Sequence, residues 1–122
     1  MKVLIIEDEI PAAEKLGRYL AKYNASIQVA AQLTSVKDAV QWLQEKQDTI
    51  DLIFMDIQLT DGLSFQIFQQ VAIKKPVIFI TAFNEFALDA FKVNSIDYLL
   101  KPITFTDLSA SLKKLENLRE QL

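Results

Sequence analysis

Four short apolar runs in this 122-residue sequence end in residues whose side chains could take part in chemistry. These residues are Glu7-Asp8, Asp56, Thr81 and Lys101. Three carboxylates in one place repel by about 1 to 4 kcal/mol per close pair, and a hard divalent cation such as Mg²⁺ removes that repulsion. Lysine supplies a charge suited to phosphate, and threonine supplies a hydroxyl donor. Together these groups predict phosphoryl transfer to an aspartate.

Asp56 is the candidate nucleophile of this set. It follows the apolar run Leu52–Met55, and no cation lies beside it in the chain. An ionised aspartate removed from water is costly unless it is paired, hydrogen-bonded or metal-bound. We therefore expect Asp56 to lie at the mouth of a site, with compensating groups supplied from elsewhere in the sequence.

Each of these residues also has a purely structural interpretation. Asp8 could cap the helix that follows it, because aspartate is a favoured N-cap residue. Asp56 could belong to the turn that the following Gln-Leu-Thr-Asp-Gly indicates. Glu7 could be a solvated acid, Thr81 a structural hydroxyl and Lys101 a surface lysine. The combination favours function, because each residue would otherwise have to fall at a strand end by chance.

The composition excludes several classes of site. The chain contains no cysteine and no histidine, which excludes disulfides, zinc sites with thiolate or imidazole ligands, and Ser-His or Cys-His catalysis. Oxygen ligands remain, and they favour Mg²⁺, Ca²⁺ or Mn²⁺. A net charge of −3 argues against direct nucleic-acid binding. Since no run resembles a signal peptide or reaches the roughly 20 apolar residues of a membrane span, we expect a soluble cytoplasmic protein.

Apolar runs and helical segments alternate along the chain. Five runs have the length and composition of strands, and most do not alternate with polar residues, as is typical of strands buried on both faces of a parallel sheet. These runs are Val3–Ile6, Ile27–Ala31, Leu52–Met55, Val77–Ile80 and Ile96–Leu100. Five segments with helical periodicity follow them, at about 12–23, 36–43, 63–71, 85–92 and from about 105 onward.

Local signals mark where the helices begin. Pro11 suits a first helical turn, Ser35 precedes the second helix, and Asn84 is a plausible N-cap for the fourth. Asp61-Gly62 indicates a turn before the third. The strict alternation predicts one α/β domain over residues 1–122 with a mostly parallel sheet. Ligands of such sheets bind outside the carboxyl ends of the strands, where the candidate residues are predicted to lie.

Four segments together resemble the motifs of the two-component response-regulator receiver domain. They read VLIIEDE, DLIFMDIQLTDGLS, VIFITAF and DYLLKPI, and in order and spacing the match covers essentially the whole chain. The resemblance implies a flavodoxin-like (βα)5 fold with strand order 2-1-3-4-5. It also implies that a sensor histidine kinase phosphorylates the domain and that the resulting change of shape regulates an output.

The resemblance assigns a metal site to this chain. Asp56 is implied as the phospho-acceptor, and Glu7 and Asp8 as the acidic pair around Mg²⁺. Gln58 matches the position whose backbone carbonyl completes the metal shell. The sequence departs from many receivers here, because the acidic pair is Glu-Asp rather than Asp-Asp and the loop after Asp56 lacks the common Met-Pro.

The resemblance also assigns the groups around the phosphoryl group. Thr81 and Lys101 are implied as the hydroxyl and the lysine that contact it, and the small Ala82 leaves room for it. Tyr98 lies at the aromatic switch position of the fifth strand. A cis bond before Pro102 is implied as well, although only about 5–6% of X-Pro bonds in folded proteins are cis.

The segment TAFNEFALDAFKVNSIDYLLKPI particularly resembles receivers of LytTR-type transcriptional regulators. Those regulators usually carry a DNA-binding domain after the fifth helix, and that domain would bind DNA in place of the receiver. We expect either such a regulator, with SLKKLENLREQL beginning a linker helix, or a receiver that acts alone through protein–protein contacts.

Two other functions could use similar residues. A Mg²⁺-dependent phosphohydrolase that forms an aspartyl-phosphate often has a second acid two residues after the nucleophile, where this chain has Gln58. An FMN-binding protein would have a phosphate-binding loop rich in Ser, Thr and Gly after the first strand, where this chain has the acidic EDEIPAAE. A signalling switch is therefore the favoured function. Because the chain has no histidine, its phosphodonor must be another protein.

The fourth helical segment has an unusually wide apolar face. Its apolar residues span an arc of roughly 220°, whereas a helix packed on one side needs a stripe nearer 100°. These residues are Phe83, Phe86, Ala87, Leu88, Ala90, Phe91 and Val93. Either the fifth helix buries the surplus, or it forms an exposed patch through which two phosphorylated domains pair as a homodimer. Phe86, Ala90 and Val93 are the candidate exposed positions.

Overall fold

A five-stranded parallel sheet forms the centre of the molecule. In this computed structural model, which describes residues 1–121, the sheet has the order β2-β1-β3-β6-β7 and every pair is parallel. A short hairpin, made of strands β4 and β5 with two residues each, lies outside it. The order confirms the predicted 2-1-3-4-5 arrangement. The strands are β1 (Lys2–Ile6), β2 (Gln28–Leu33), β3 (Leu52–Met55), β4 (Gln58–Leu59), β5 (Gly62–Leu63), β6 (Val77–Thr81) and β7 (Asp97–Leu100).

Five α-helices cover the two faces of the sheet. One face carries α1 and α5, and the other carries α2, α3 and α4. The helices are α1 (Ile10–Tyr23), α2 (Val36–Lys46), α3 (Phe65–Gln70), α4 (Ala87–Lys92) and α5 (Phe105–Glu120), and a 3₁₀ turn (Gln47–Thr49) follows α2. No helix among residues 1–121 is long and apolar enough to cross a membrane.

The three central strands lie between two separate apolar layers. Successive residues of β3 point alternately to the layer under α1 and α5 (Leu52, Phe54) and to the layer under α2, α3 and α4 (Ile53, Met55). All four are at most 1% exposed. This double burial explains why the central runs are continuously apolar, since neither face of these strands meets water.

The outer parts of the fold differ most from the sequence predictions. Strand β2 was predicted at 27–31 and lies at 28–33, with mostly exposed residues, because it is an edge strand paired only with β1. The β4–β5 hairpin was not predicted, and α3 is shorter than expected because it begins only after that hairpin. The prediction that Asn84 caps α4 was wrong. The N-cap residue is Phe86, which makes no side-chain capping bond.

Other local predictions are confirmed. Pro11 lies in the first turn of α1, and the Ser35 hydroxyl accepts a hydrogen bond from the Asp38 amide at 3.1 Å. The N-cap of α1 is Glu9 rather than Asp8, so capping does not account for Asp8. The Lys101–Pro102 peptide bond is cis, as the resemblance implied.

Candidate phosphoryl-transfer and metal site

Four strands deliver the candidate residues to one edge of the sheet. Strand register places Ile6 beside Met55, so Glu7 and Asp56 follow at the adjacent carboxyl ends of β1 and β3. The Asp56 amide donates to the Ile6 carbonyl at 2.9 Å, and the Lys101 amide donates to the Thr81 carbonyl at 2.8 Å. The parallel alternation read from the sequence is therefore what brings these residues together.

A single ammonium group joins the two buried carboxylates. Lys101 Nζ lies 2.5 Å from Glu7 Oε1 and 2.9 Å from Asp56 Oδ2. Glu7 is only 6% exposed and Asp56 only 5%. The remaining oxygen of Asp56, Oδ1, accepts the Ile57 amide at 2.6 Å. Each carboxylate oxygen of Asp56 therefore has a hydrogen-bond donor, and one of the donors is a cation, which compensates the burial of this acid.

Burial raises the pKa of Glu7 to about 7, against an ordinary value of 4.5. The hydrogen bonds from Lys101 and from the Glu9 amide lower that pKa, and the charge of Asp56 raises it further. Burial alone would lower the pKa of Lys101, but its bonds and charge interactions with Glu7 and Asp56 leave it raised. One lysine cation is thus shared between Glu7 and Asp56. Its attraction lowers the pKa of Glu7 by less than burial raises it.

Four carboxylates converge tightly enough to hold a cation. Glu7, Asp8, Glu9 and Asp56 each offer an oxygen, and these oxygens all lie within 4.8 Å of one another. An all-oxygen, acid-rich set suits a hard divalent cation such as Mg²⁺ better than a transition metal. Glu9 was not predicted to join this cluster, and the only signal for it was its place in the run Glu-Asp-Glu.

The two predicted switch residues share one partner. Thr81 is fully buried, and its hydroxyl accepts a long hydrogen bond of 3.4 Å from the Phe83 amide. The half-buried Tyr98 donates its hydroxyl to the Phe83 carbonyl and packs against Phe79 with ring centroids 6.2 Å apart. Both side chains therefore hold the loop that leads into α4.

A cavity of about 380 Å³ adjoins the acidic cluster. Its lining includes the polar Glu7, Asp56 and Lys101, the small Ala82, and apolar core residues such as Leu16 and Phe54. Ala82, the residue predicted to leave room for a phosphoryl group, is exposed and lines this cavity.

The hairpin after Asp56 is fastened to helix α2. The Asp61 carboxylate accepts hydrogen bonds from the Val36 amide at 2.7 Å and the Lys37 amide at 3.1 Å. The Val36 bond is the main reason that the pKa of Asp61 lies below its ordinary value. Gln58, whose backbone carbonyl is the predicted metal ligand, is an exposed residue of this hairpin. The sequence indicated only a turn at Asp61-Gly62 and carried no signal for the long-range contact.

An apolar patch is exposed on α4 and β7, but not at the expected positions. Phe86 and Val93 are half-buried and Ala90 is only 1% exposed, so none of the three candidate positions is exposed. Phe86 is turned inward and lies against Phe65, with ring centroids 6.1 Å apart. The exposed residues are Leu88 (66%), Phe91 (76%) and Leu100 (47%). We call these three residues the α4–β7 patch.

Comparison with known proteins agrees with this fold. The family model of the response regulator receiver domain matches residues 3–113. The chain is 34% identical over 117 residues to the sensory transduction protein LytT of Bacillus cereus, covering 93% of this chain and 46% of LytT. It is 36% identical over 119 residues to the transcriptional regulatory protein YpdB of Escherichia coli, covering 95% of this chain and 48% of YpdB.

A solved structure shows the same fold at similar sequence identity. The response regulatory domain of MrkE from Klebsiella pneumoniae superposes with a TM-score of 0.84 at 34% identity, over 100% of both chains. The chain belongs to the response regulator receiver domain family. It spans about half the length of the curated relatives that it matches.

Proposed function

We propose that this receiver domain is a phosphorelay switch in which Asp56 accepts a phosphoryl group from a phosphohistidine of a sensor kinase. The observation that carries the proposal is a buried aspartate at a strand end, bonded to Lys101 at 2.9 Å and clustered with three further acids. The chain contains no histidine of its own. A phosphohistidine donor therefore lies outside these 122 residues.

The contacts of Asp56 prepare it for this transfer. The Ile57 amide and Lys101 engage separate oxygens of the carboxylate, so its orientation is fixed. In the reaction the P–N bond of the donor breaks, a P–O bond to Asp56 forms, and the imidazole leaves with its electron pair. Lys101 is then beside the new phosphoryl oxygens and binds them as a point charge.

Glu7, Asp8, Asp56 and the backbone carbonyl of Gln58 are the residues that we propose to hold Mg²⁺. When bound, the ion offsets the charge of the carboxylates and of the entering phosphate. Glu9 belongs to the same cluster, but it is exposed and lies 3.9 Å from Lys101, so we assign it no direct ligand role.

Phosphorylation is proposed to release the loop that leads into α4. A phosphoryl group on Asp56 offers the Thr81 hydroxyl strong acceptor oxygens in place of its 3.4 Å contact with the Phe83 amide. Loss of that contact leaves Tyr98 as the remaining side-chain anchor of Phe83. The loop and Tyr98 then rearrange together, and the change reaches the α4–β7 patch.

We propose that the phosphorylated domain forms a homodimer through the α4–β7 patch, with the same surface presented by each partner. Beryllofluoride with Mg²⁺, a mimic of the phosphoryl group, should raise the dimer fraction in sedimentation equilibrium, and Phe91→Glu should reverse that rise. Leu118→Glu is the matched control, because Leu118 is also exposed (39%) but lies on α5. Equal dimerisation of wild type and Phe91→Glu would exclude this surface.

The proposed output is regulation of transcription through a LytTR-type DNA-binding domain that follows the receiver in the cytoplasm. YpdB, a relative named as a transcriptional regulatory protein, is about twice as long as this chain. The receiver itself carries a net charge of −3, which suits contact with proteins better than with DNA. A receiver that acts alone through protein contacts is the alternative. The gene sequence beyond codon 122 decides between them.

Incubation with acetyl phosphate and Mg²⁺ tests the proposed function. Intact-mass spectrometry should show one added phosphoryl group per chain, and chelation or Asp56→Asn should abolish it. Asp48→Asn, at an exposed aspartate of the 3₁₀ turn, should leave it unchanged. We expect no turnover of phosphoester substrates beyond the domain's own dephosphorylation; sustained hydrolysis would instead indicate an enzyme.

A further inference from the structure

The hairpin that follows Asp56 is too small to hold its own conformation. Strands β4 and β5 have two residues each and form a separate two-stranded sheet, with Gln58 paired to Leu63 and Leu59 to Gly62. Isolated two-stranded hairpins are marginally stable in water, even when they are longer than this one. Contacts from outside the hairpin must therefore fix its shape.

The base of the hairpin is fixed by Ile57. This residue is fully buried, its amide donates to Asp56 Oδ1 at 2.6 Å, and its carbonyl accepts the Ser64 amide at 2.7 Å. The backbone next to Asp56 and the closing end of the hairpin are thus joined directly. Ile57 therefore links the hairpin to the Asp56 carboxylate.

The tip of the hairpin is fixed by its contacts with the first turn of α2 and with the loop before it. Asp61 binds the Val36 and Lys37 amides through its two oxygens, at 2.7 and 3.1 Å. The Thr60 hydroxyl and the Thr60 amide both donate to the Thr34 carbonyl, at 3.2 and 3.4 Å. Asp61 is exposed, yet it bonds to backbone 24 and 25 residues away in sequence.

Helix α2 already has an N-cap of its own. The Ser35 hydroxyl accepts the Asp38 amide at 3.1 Å, whereas Asp61 takes the two preceding amides from a different part of the chain. Ser35 and Asp61 therefore serve the same helix end, but only Asp61 ties that end to the hairpin. This difference separates a role in helix stability from a role at the site.

We infer that Asp61 is a positioning residue for the metal site: by holding the hairpin on α2 it sets where the Gln58 backbone carbonyl lies relative to Asp56. The inference rests on the proposed function, in which that carbonyl and Asp56 bind Mg²⁺. Asp61 itself does not touch the ion. Removal of the Asp61 carboxylate lets the hairpin move and lowers the affinity for Mg²⁺.

Calorimetric titration of Mg²⁺ into the metal-free protein tests this inference. Asp61→Ala should weaken the Mg²⁺ dissociation constant about tenfold, the scale typical of losing a residue that orients a metal ligand. Asp61→Asn keeps one acceptor oxygen and should retain more of the affinity. Ser35→Ala removes the other cap of α2 and should leave Mg²⁺ affinity within about twofold of wild type.

Amide hydrogen exchange supplies a readout that does not depend on the metal. In metal-free Asp61→Ala, the amides of residues 58–63 should exchange faster than in wild type, whereas in Ser35→Ala they should not. Wild-type Mg²⁺ affinity in Asp61→Ala, or an equal loss in Ser35→Ala, would overturn the positioning role alone. A wild-type protein that binds no Mg²⁺ would overturn the proposed metal site and this inference together.

Discussion

Replacing Glu7 with glutamine should stabilise the metal-free protein at neutral pH and change its stability little at low pH. Burial raises the pKa of Glu7 to about 7 in the folded protein, against an ordinary value of 4.5. Below pH 4.5 the side chain is protonated in both folded and unfolded states. Between the two pKa values the folded state binds more protons than the unfolded state, so stability falls as pH rises.

The size of the effect follows from the gap between the two pKa values. Each pH unit between 4.5 and about 7 costs roughly 1.4 kcal/mol of unfolding free energy, which amounts to about 3 kcal/mol in all. Glu7 is only 6% exposed, so solvent screens little of this cost. Above pH 7 the carboxylate is ionised in both states, and the loss is complete.

Urea unfolding of wild type and Glu7→Gln from pH 4.5 to 8, in the presence of a chelator, measures this cost. The advantage of Glu7→Gln should grow by about 3 kcal/mol across that range, because the glutamine amide does not titrate. Glu45→Gln, at an exposed glutamate of α2, is the matched control and should show no such growth. Added Mg²⁺ should narrow the gap by stabilising the wild type at pH 8.

A constant difference between wild type and Glu7→Gln across the pH range would refute this reasoning. If Glu7→Gln instead became less stable relative to wild type as pH rises, the 2.5 Å contact with Lys101 would outweigh burial in setting the pKa of Glu7. In that case the lysine cation would belong mainly to Glu7 rather than being shared with Asp56.

Three further substitutions test contacts elsewhere in the fold. Tyr98→Phe removes the donor to the Phe83 carbonyl, so amides in the loop before α4 should exchange faster, and unchanged exchange would argue against the anchor. Thr104→Ala removes the hydroxyl that accepts the Asp107 amide at 3.0 Å, and thermal unfolding should show a loss of about 1 kcal/mol. Gln47→Ala removes the two hydrogen bonds that this buried side chain makes with the loop before β6, to the Lys74 amide and the Ala72 carbonyl, which should cost about 1 to 3 kcal/mol in urea unfolding; a smaller loss would indicate that water replaces the side chain.

The central sheet could be predicted from the sequence because burial on both faces leaves a strong signal. Residues such as Phe54 and Ile78 are fully or almost fully buried, so their strands contain continuous runs of apolar residues. The edge strand β2 carries a weaker signal, since residues such as Val29 are 45% exposed. Its bounds were accordingly misplaced by one to two residues.

Helix ends were predictable only where the side chain itself makes the cap. Ser35 bonds the Asp38 amide and was predicted correctly. Asn84 has the right chemistry, but α4 begins three residues later, with Phe86 packed against Phe65. Tertiary packing of an aromatic ring therefore decided where α4 starts, and a local capping preference of about 1 kcal/mol did not.

The convergence of the site residues at one edge of the sheet could be read from the sequence, but their pairing could not. Parallel strands in register bring Glu7, Asp56 and Lys101 to one edge whatever their side chains do. That one ammonium bridges both acids depends on side-chain geometry in three dimensions. The anchor from Asp61 to α2 likewise joins segments 25 residues apart, and no local pattern marks it.

The most direct test of the proposed switch locates the phosphoryl group in the chain. After treatment with acetyl phosphate and Mg²⁺, borohydride reduction converts an aspartyl-phosphate to homoserine, and tandem mass spectrometry of the peptides reports its position. We predict homoserine at position 56 and none at Asp8, whose carboxylate belongs to the same cluster. Homoserine at position 8, or a phosphorylated protein in which Asp56 is unmodified, would contradict the proposed switch.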